Sequence, residues 1–303
     1  GKRSPMSQTD SSPGVPLVLE GFAPLADLYD ALICDLWGVL HDGVAAFPHA
    51  LECLDELHRQ GKRIVVLSNA PRRAAEVEAR MNEMGIEPHF YDKVQSSGED
   101  TWQHLATRPD DFYRSLGRRC FHFGPDRDHG MREGLGLDFV ESLEEADFIL
   151  NTGAHMAEDT VEVYGRDLEA AAALGLPMIC ANPDLEVIRG GKREICAGAL
   201  AARYEALGAP VRYHGKPLRS IYETCFKALE GIPRERIAAV GDSLRTDIAG
   251  AQASGIDGVL IAGGIHAEAL GIEEGERPDP AKLAKLFAAD EQQPVATLPV
   301  FRW

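Results

Sequence analysis

Positive charge is scarce in this sequence. Its 303 residues hold 31 Lys and Arg against 48 Asp and Glu, a formal net charge of -17. A surface of that sign repels phosphate backbones and anionic lipid headgroups, which argues against nucleic-acid or membrane-surface partners. No apolar run approaches the roughly 20 residues of a membrane-spanning helix, and the first residues lack the apolar segment of a signal peptide. The six cysteines (Cys34, Cys53, Cys120, Cys180, Cys196 and Cys225) form no CxxC pair. Most lie in apolar stretches, as reduced, buried thiols of a cytoplasmic protein do. No short-period repeat is visible. A small anionic substrate stays compatible with the charge if a local cluster of donors overrides the global field.

The composition, 45% hydrophobic and 26% charged, is that of a globular chain, long enough for one large domain or two ordinary ones. Short apolar runs alternate with longer amphipathic ones. Strands are expected at 31–36, 63–69, 92–97, 236–242 and 258–264. Helices are expected at 48–60, 71–84, 98–106, 217–229 and 244–254, several opened by Pro and closed by Gly. This alternation predicts an α/β fold with a doubly wound parallel sheet covered on both faces. Between 113 and 207 the theme repeats: strands at 120–124, 147–153 and 177–182, helices at 158–174 and 197–207. The expected organisation is therefore a discontinuous core (22–112 and 208–295) with an inserted α/β domain (113–207). A disordered arm (1–21) and a peripheral, Pro-rich tail (296–303) flank it.

In open α/β sheets, ligands bind beyond the carboxyl ends of the strands. The polar residues ending the core runs are Asp35, then Ser68 and Asn69, then Asp242, with Asp247 five residues later; Lys216 precedes the 217–229 helix. Each alone has a bland reading: a turn cap, a helix cap or a solvated lysine. Together they fit phosphoryl chemistry. Carboxylates supply the oxygen shell that magnesium prefers, one carboxylate can accept a phosphoryl group, and a lysine and a hydroxyl can hold the transferring oxygens.

The segments DLWGVLHDG (35–43), LSN (67–69), GKP (215–217) and GDSLRTD (241–247) resemble the four ordered motifs of the haloacid dehalogenase superfamily. The insert resembles the large α/β cap of its class IIA branch, which includes sugar-phosphate, pyridoxal-phosphate and nitrophenyl-phosphate phosphatases. The resemblance spans about residues 22 to 290. It implies Asp35 as nucleophile, Ser68 and Asn69 as phosphate-binding residues, and Lys216 as the bridge between phosphate and nucleophile. It implies Mg2+ held by Asp35, Asp242 and the backbone carbonyl of Trp37, with Asp247 supporting the shell. Asn182 and Asp184, in NPD (182–184), would lie in a substrate-facing cap loop, or form a turn with local bonds only. A homodimer is compatible with the branch.

One residue departs from the pattern. The position two after the nucleophile is usually a second Asp, which protonates the leaving oxygen and later activates water; here it is Trp37. Indole cannot exchange that proton, and losing a general acid–base costs about 10²–10⁴-fold. The expectation is a magnesium-dependent phosphatase for a small phosphorylated metabolite. The alternative is a phosphate-ligand-binding protein with vestigial turnover. His41 and Asp42 are candidate substitute acids, unless Asp42-Gly43 simply makes a turn. Trp37 could instead wall the site against the cap. The basic stretch RGGKRE (189–194) reads as a solvated Gly-Gly hairpin.

Overall fold

The computed structural model describes residues 15–303. Its strands, in chain order, are β1 (Ala31–Cys34), β2 (Arg63–Ser68), β3 (Lys93–Ser96), β4 (Arg119–Phe123), β5 (Asp138–Phe139), β6 (Phe148–Asn151), β7 (Met178–Cys180), β8 (Glu186–Arg189), β9 (Lys192–Ile195), β10 (Val211–Tyr213), β11 (Ile237–Gly241), β12 (Asp257–Ile261) and β13 (Ala296–Leu298). Six form a parallel sheet in the order β13-β12-β11-β1-β2-β3. Five form a second parallel sheet in the order β10-β7-β6-β4-β5. The remaining pair, β8 and β9, is an antiparallel hairpin.

Both faces of the first sheet are buried, so its central strands are apolar throughout rather than alternating. Leu32, Cys34 and Val66 point to one face and pack with Cys53, Leu54 and Leu57 of the helix Pro48–Arg59. Ala31, Ile33, Val65 and Leu67 point to the other, against Ile221, Tyr222 and Cys225 of the helix Arg219–Ala228. The second sheet repeats the arrangement. Ile149, Met178 and Cys180 pack with Leu168, Leu200 and Tyr204. Phe148, Leu150 and Ile179 meet Leu105 and Tyr113. All six cysteines are free and buried. No helix among the described residues is long and apolar enough to cross a membrane.

Several details differ from the sequence-based expectations. The tail is not peripheral: β13 is an edge strand of the first sheet, and Ala296, Leu298, Val300 and Phe301 are buried. An edge position tolerates the neighbouring prolines because one side of the strand needs no partner. The expected arm is partly ordered. Residues 1–14 lie outside the described residues, but Val18 pairs with Thr297, and the Leu19 and Thr297 amides bond Thr297 and Leu17 carbonyls. Strand β10 continues the second sheet beyond the expected boundary at 207.

The helix expected from Pro71 starts at Ala74 instead. Residues 70–72 form a loop whose carbonyls are tied down by the Gly98 amide and the Ser96 and Ser97 hydroxyls. The helix expected at 158–174 is a short 3₁₀ turn, Val161–Tyr164, followed by Gly165–Ala173. The helix expected at 244–254 opens as a π turn, Leu244–Ile248, before Ala249–Ala253. Such widened turns concentrate at functional sites.

Candidate active site

Strand β1 lies at the switch point of the first sheet, where the chain order reverses between β11 and β2, and the site forms at the carboxyl ends of these three strands. Asp35 follows β1, Ser68 ends β2, and Asp242 follows β11. The π turn swings Asp247 inward, where its carboxylate accepts from the Ser243 amide at 3.2 Å. One carboxylate oxygen from each of Asp35, Asp242 and Asp247 lies within 4.8 Å of the other two. Gly38 has a φ of +76°, and a side chain there would strike the Asp242 carboxylate, so the 37–38 backbone passes directly over this cluster.

Lys216 is buried between two of the acids. Its Nζ is 3.0 Å from Asp35 and 2.7 Å from Asp247, and donates to the Leu67 carbonyl at 2.9 Å. Burial alone would lower its pKa; the Asp247 and Asp35 charges outweigh that and hold it well above its usual value. Burial, reinforced by Asp35, pushes Asp247 up to about 7, and burial with Asp35 and Asp247 pushes Asp242 well above the carboxylate range. Fully ionised, three carboxylates and one ammonium would carry an excess of two negative charges, a repulsion that the raised Asp242 and Asp247 values reflect. A hard divalent cation with oxygen ligands is the chemical complement of that donor set.

Asn69 organises the neighbouring loops. Its Oδ1 accepts from the Lys216 amide at 2.9 Å, and its Nδ2 donates to the Lys216 carbonyl at 3.1 Å and to Asp184 at 2.9 Å. Gly215, at φ +107°, permits this approach: a side chain there would meet Asn69, Ser97 and Pro183 together. Just upstream, His214 Nδ1 lies 2.6 Å from the Asp100 carboxylate, and its Nε2 contacts the Tyr113 hydroxyl. This buried clasp sits where the chain passes between the two sheets. Ser68 is buried, and its hydroxyl accepts from the Ala70 amide at 3.1 Å.

A cleft of about 390 Å³ opens over these groups, of a size for a small metabolite. The second sheet supplies its other wall. Asn182 and Asp184 both line it, but they act differently. Asn182 makes the local turn, accepting from the Asp184 amide at 3.0 Å. Asp184 reaches across to Asn69 instead of staying local; burial raises its pKa.

The hairpin expected to be solvated is docked on the site. Gly190 and Gly191 both have positive φ, as a tight two-residue turn requires. The Gly190 amide donates to the Asp42 carbonyl at 3.2 Å, and the Arg189 guanidinium lies 4.8 Å from the centre of the Trp37 ring. Trp37 thus walls the cleft between the 37–43 loop and the hairpin. The two substitute acids are otherwise engaged. His41 is buried with Nδ1 accepting from the Gly43 amide, and burial lowers its pKa to about 4. Asp42 accepts from the Val44 and Ala45 amides, which hold its pKa low.

Sequence reasoning missed Arg72, Asp128, Thr152 and His266, which also line the cleft. Arg72, Thr152 and His266 sit in loops and Asp128 in the 3₁₀ helix Asp126–Arg132, all without motif spacing. The only signal was position: each falls shortly after a strand.

Two family models match this chain. One, described as haloacid dehalogenase-like hydrolase, covers residues 32–138; the other, HAD-hydrolase-like, covers 213–286. A haloacid dehalogenase-like hydrolase from Brucella suis is 35% identical, with a TM-score of 0.80, over 94% of this chain and 100% of that one. The chain belongs to the haloacid dehalogenase-like hydrolase family. Two curated members are also similar. The D-glycerol 3-phosphate phosphatase of Mycobacterium tuberculosis is 27% identical over 84% of this chain and 69% of that protein. The ribonucleotide monophosphatase NagD of Escherichia coli is 28% identical over 77% of this chain and 88% of NagD. Both family models fall on the segments holding Asp35, Ser68, Lys216, Asp242 and Asp247, and the stretch between them holds most of the second sheet.

Proposed function

We propose that this chain is a magnesium-dependent phosphatase that hydrolyses a small phosphate monoester through an aspartyl phosphate on Asp35. The observation that carries the reading is the Asp35–Lys216 contact at 3.0 Å, set among two further carboxylates at the strand ends. The naming of similar family members as phosphatases supports it.

Asp242, Asp35 and the Trp37 carbonyl would hold the magnesium, with Asp247 bracing the shell through Lys216. The ion would neutralise the acids and polarise the phosphoryl oxygens. Lys216 lies against Asp35 and offsets negative charge as the carboxylate meets the phosphoryl group. Ser68 would offer its hydroxyl to the phosphoryl oxygens, while Asn69, its side-chain amide engaged by Lys216 and Asp184, would hold Lys216 and the phosphate-binding loop in place. Asp35 attacks phosphorus, the ester oxygen leaves with the electron pair, and water later attacks the aspartyl phosphate. The second sheet and its hairpin act as the cap (113–207) that encloses the substrate and excludes water.

A second reading, phosphate binding with slow turnover, is favoured by one observation: Trp37 stands where a general acid is expected, and neither His41 nor Asp42 is free to replace it. The two readings share the site and differ in rate. Phosphate release from glycerol 3-phosphate, ribose 5-phosphate and 4-nitrophenyl phosphate, with and without magnesium, separates them. The phosphatase reading expects metal-dependent release, reduced more than about 10³-fold in Asp35→Asn. Release that persists in Asp35→Asn would remove Asp35 from the chemistry.

A further inference from the structure

Arg72 and Asp128 carry a mismatch that the phosphoryl chemistry does not use. Arg72 lies in the loop after β2, held by the bond from the Ser96 hydroxyl to its carbonyl at 2.6 Å. Asp128 lies after β4, in the opposite wall, and is 2% exposed. Both line the cleft that contains Asp35 and Ser68. Arg72 Nε and Asp128 Oδ1 are both buried, and neither has a hydrogen-bond partner. They face each other at 3.8 Å, too far for a hydrogen bond.

A buried donor or acceptor left without a partner is costly, and more so when charged. Two such atoms across a substrate cleft point to a third group between them. Both atoms are closed to solvent in this structure, so an oxygen sits about 2.9 Å from each, off the line that joins them, once the walls part enough to admit it. That group must accept from Nε–H and donate to the carboxylate. An alcohol does both; a phosphate or ionised carboxylate only accepts and would face Asp128; an aryl ring does neither.

The pair is braced from behind. Arg132 Nε donates to His122 Nδ1 at 3.0 Å, so the proton of this neutral ring is on Nε2, which faces the Thr152 hydroxyl at 2.7 Å. The Thr152 hydroxyl in turn donates to the Phe123 carbonyl at 3.3 Å and lies beside the Asp128 carboxyl, whose charged form it favours. Asp128 is therefore oriented by a chain of contacts within the second sheet, while Arg72 belongs to the first.

We propose that Arg72 and Asp128 form a subsite that reads an alcohol hydroxyl on the leaving portion of the substrate. The subsite deepens the phosphatase reading and rests on it for the position of the phosphoryl group. It selects polyol or sugar phosphates over aryl phosphates and over esters with a second anionic group at that position. Because the partners come from different walls, the hydroxyl completes both bonds only when the walls are together.

The test compares glycerol 3-phosphate and ribose 5-phosphate with propyl phosphate, an ester without hydroxyls. In the native enzyme with magnesium, at least one hydroxyl-bearing ester should exceed propyl phosphate in kcat/KM by about 10–100-fold, the range of hydrogen bonds to charged groups. Asp128→Leu and Arg72→Met should each collapse that ratio towards one. Equal handling of all three esters by the native enzyme overturns the subsite, as does a ratio unchanged in both variants; the gap would then hold only water. Binding of the same esters to Asp35→Asn, by calorimetry, reads the preference as a ratio of Kd values without turnover. A preference in binding with no phosphate release would leave the subsite standing and remove the phosphatase reading.

Discussion

The two sheets of this chain are both parallel, and both aim the carboxyl ends of their strands at the same cleft. They end in different chemistry. The first sheet ends in Asp35, Ser68 and Asp242, with Lys216 and Asp247 beside them, so charges crowd within a few ångströms. The second ends in Thr152, Asn182 and Asp128, with one carboxylate among them, joined to their surroundings by hydrogen bonds rather than crowded as charges. A dense charge cluster suits a reaction whose electrostatics hardly vary between substrates. Dispersed donors and acceptors suit recognition of the part that varies. On the proposed function, the same architecture, used twice, would divide reaction from selection.

The sharpest way to break this division is Lys216→Met. Removing the ammonium should reduce phosphate release about 10²–10³-fold. It should also lower stability in urea unfolding without metal by about 3–5 kcal/mol, because Asp35 and Asp247 lose their buried partner. A variant as stable as the native chain would mean that the charges are not coupled as described.

The next effect concerns Trp37. Trp37→Asp restores a proton donor at the edge of the first sheet and should raise kcat on an alkyl phosphate about 10–10²-fold, part of the general acid–base contribution. It also removes the ring beneath Arg189. A fall in kcat would show that the wall between loop and hairpin outweighs the missing acid.

A smaller effect sharpens the other side. Burial lowers the His122 pKa to about 3, against an ordinary 6.5, with Arg132 adding to the shift. The unfolded chain therefore takes up this proton first as pH falls. The stability contributed by the neutral ring is complete above about 6.5 and is lost progressively towards about 3. Amide protection factors in β4 should fall over that acid range more than those in β1, and His122→Gln should reduce the difference. An equal fall in both sheets, unaltered by the substitution, would contradict it.

Much of the first sheet was legible because its strands are short apolar runs ending in a charged residue, and a buried parallel strand has few other ways to look. Asp35 and Asp242 stood out for that reason, and Lys216 by its place in GKP ahead of a helix. The 37–43 loop was harder. Whether His41 and Asp42 could serve as acids depended on the Gly43, Val44 and Ala45 amides, which no spacing reveals. The hairpin at 186–195 was readable from Gly190-Gly191, but its docking on Trp37 was not, since that contact joins distant segments. Arg72 and Asp128 were invisible for the same reason. The tail misled by composition: prolines beside a three-residue strand look like a loose end, yet β13 completes the sheet.

The central claim is that Asp35 takes the phosphoryl group and, with Trp37 beside it, gives that group up slowly. Rapid acid quenching during magnesium-supported turnover of 4-nitrophenyl phosphate, followed by mass spectrometry of the peptide carrying Asp35, tests this directly. The account predicts a burst of nitrophenol matched by a phosphoryl adduct on Asp35, shortened in Trp37→Asp and absent in Asp35→Asn. Steady turnover with no adduct on that peptide would contradict it.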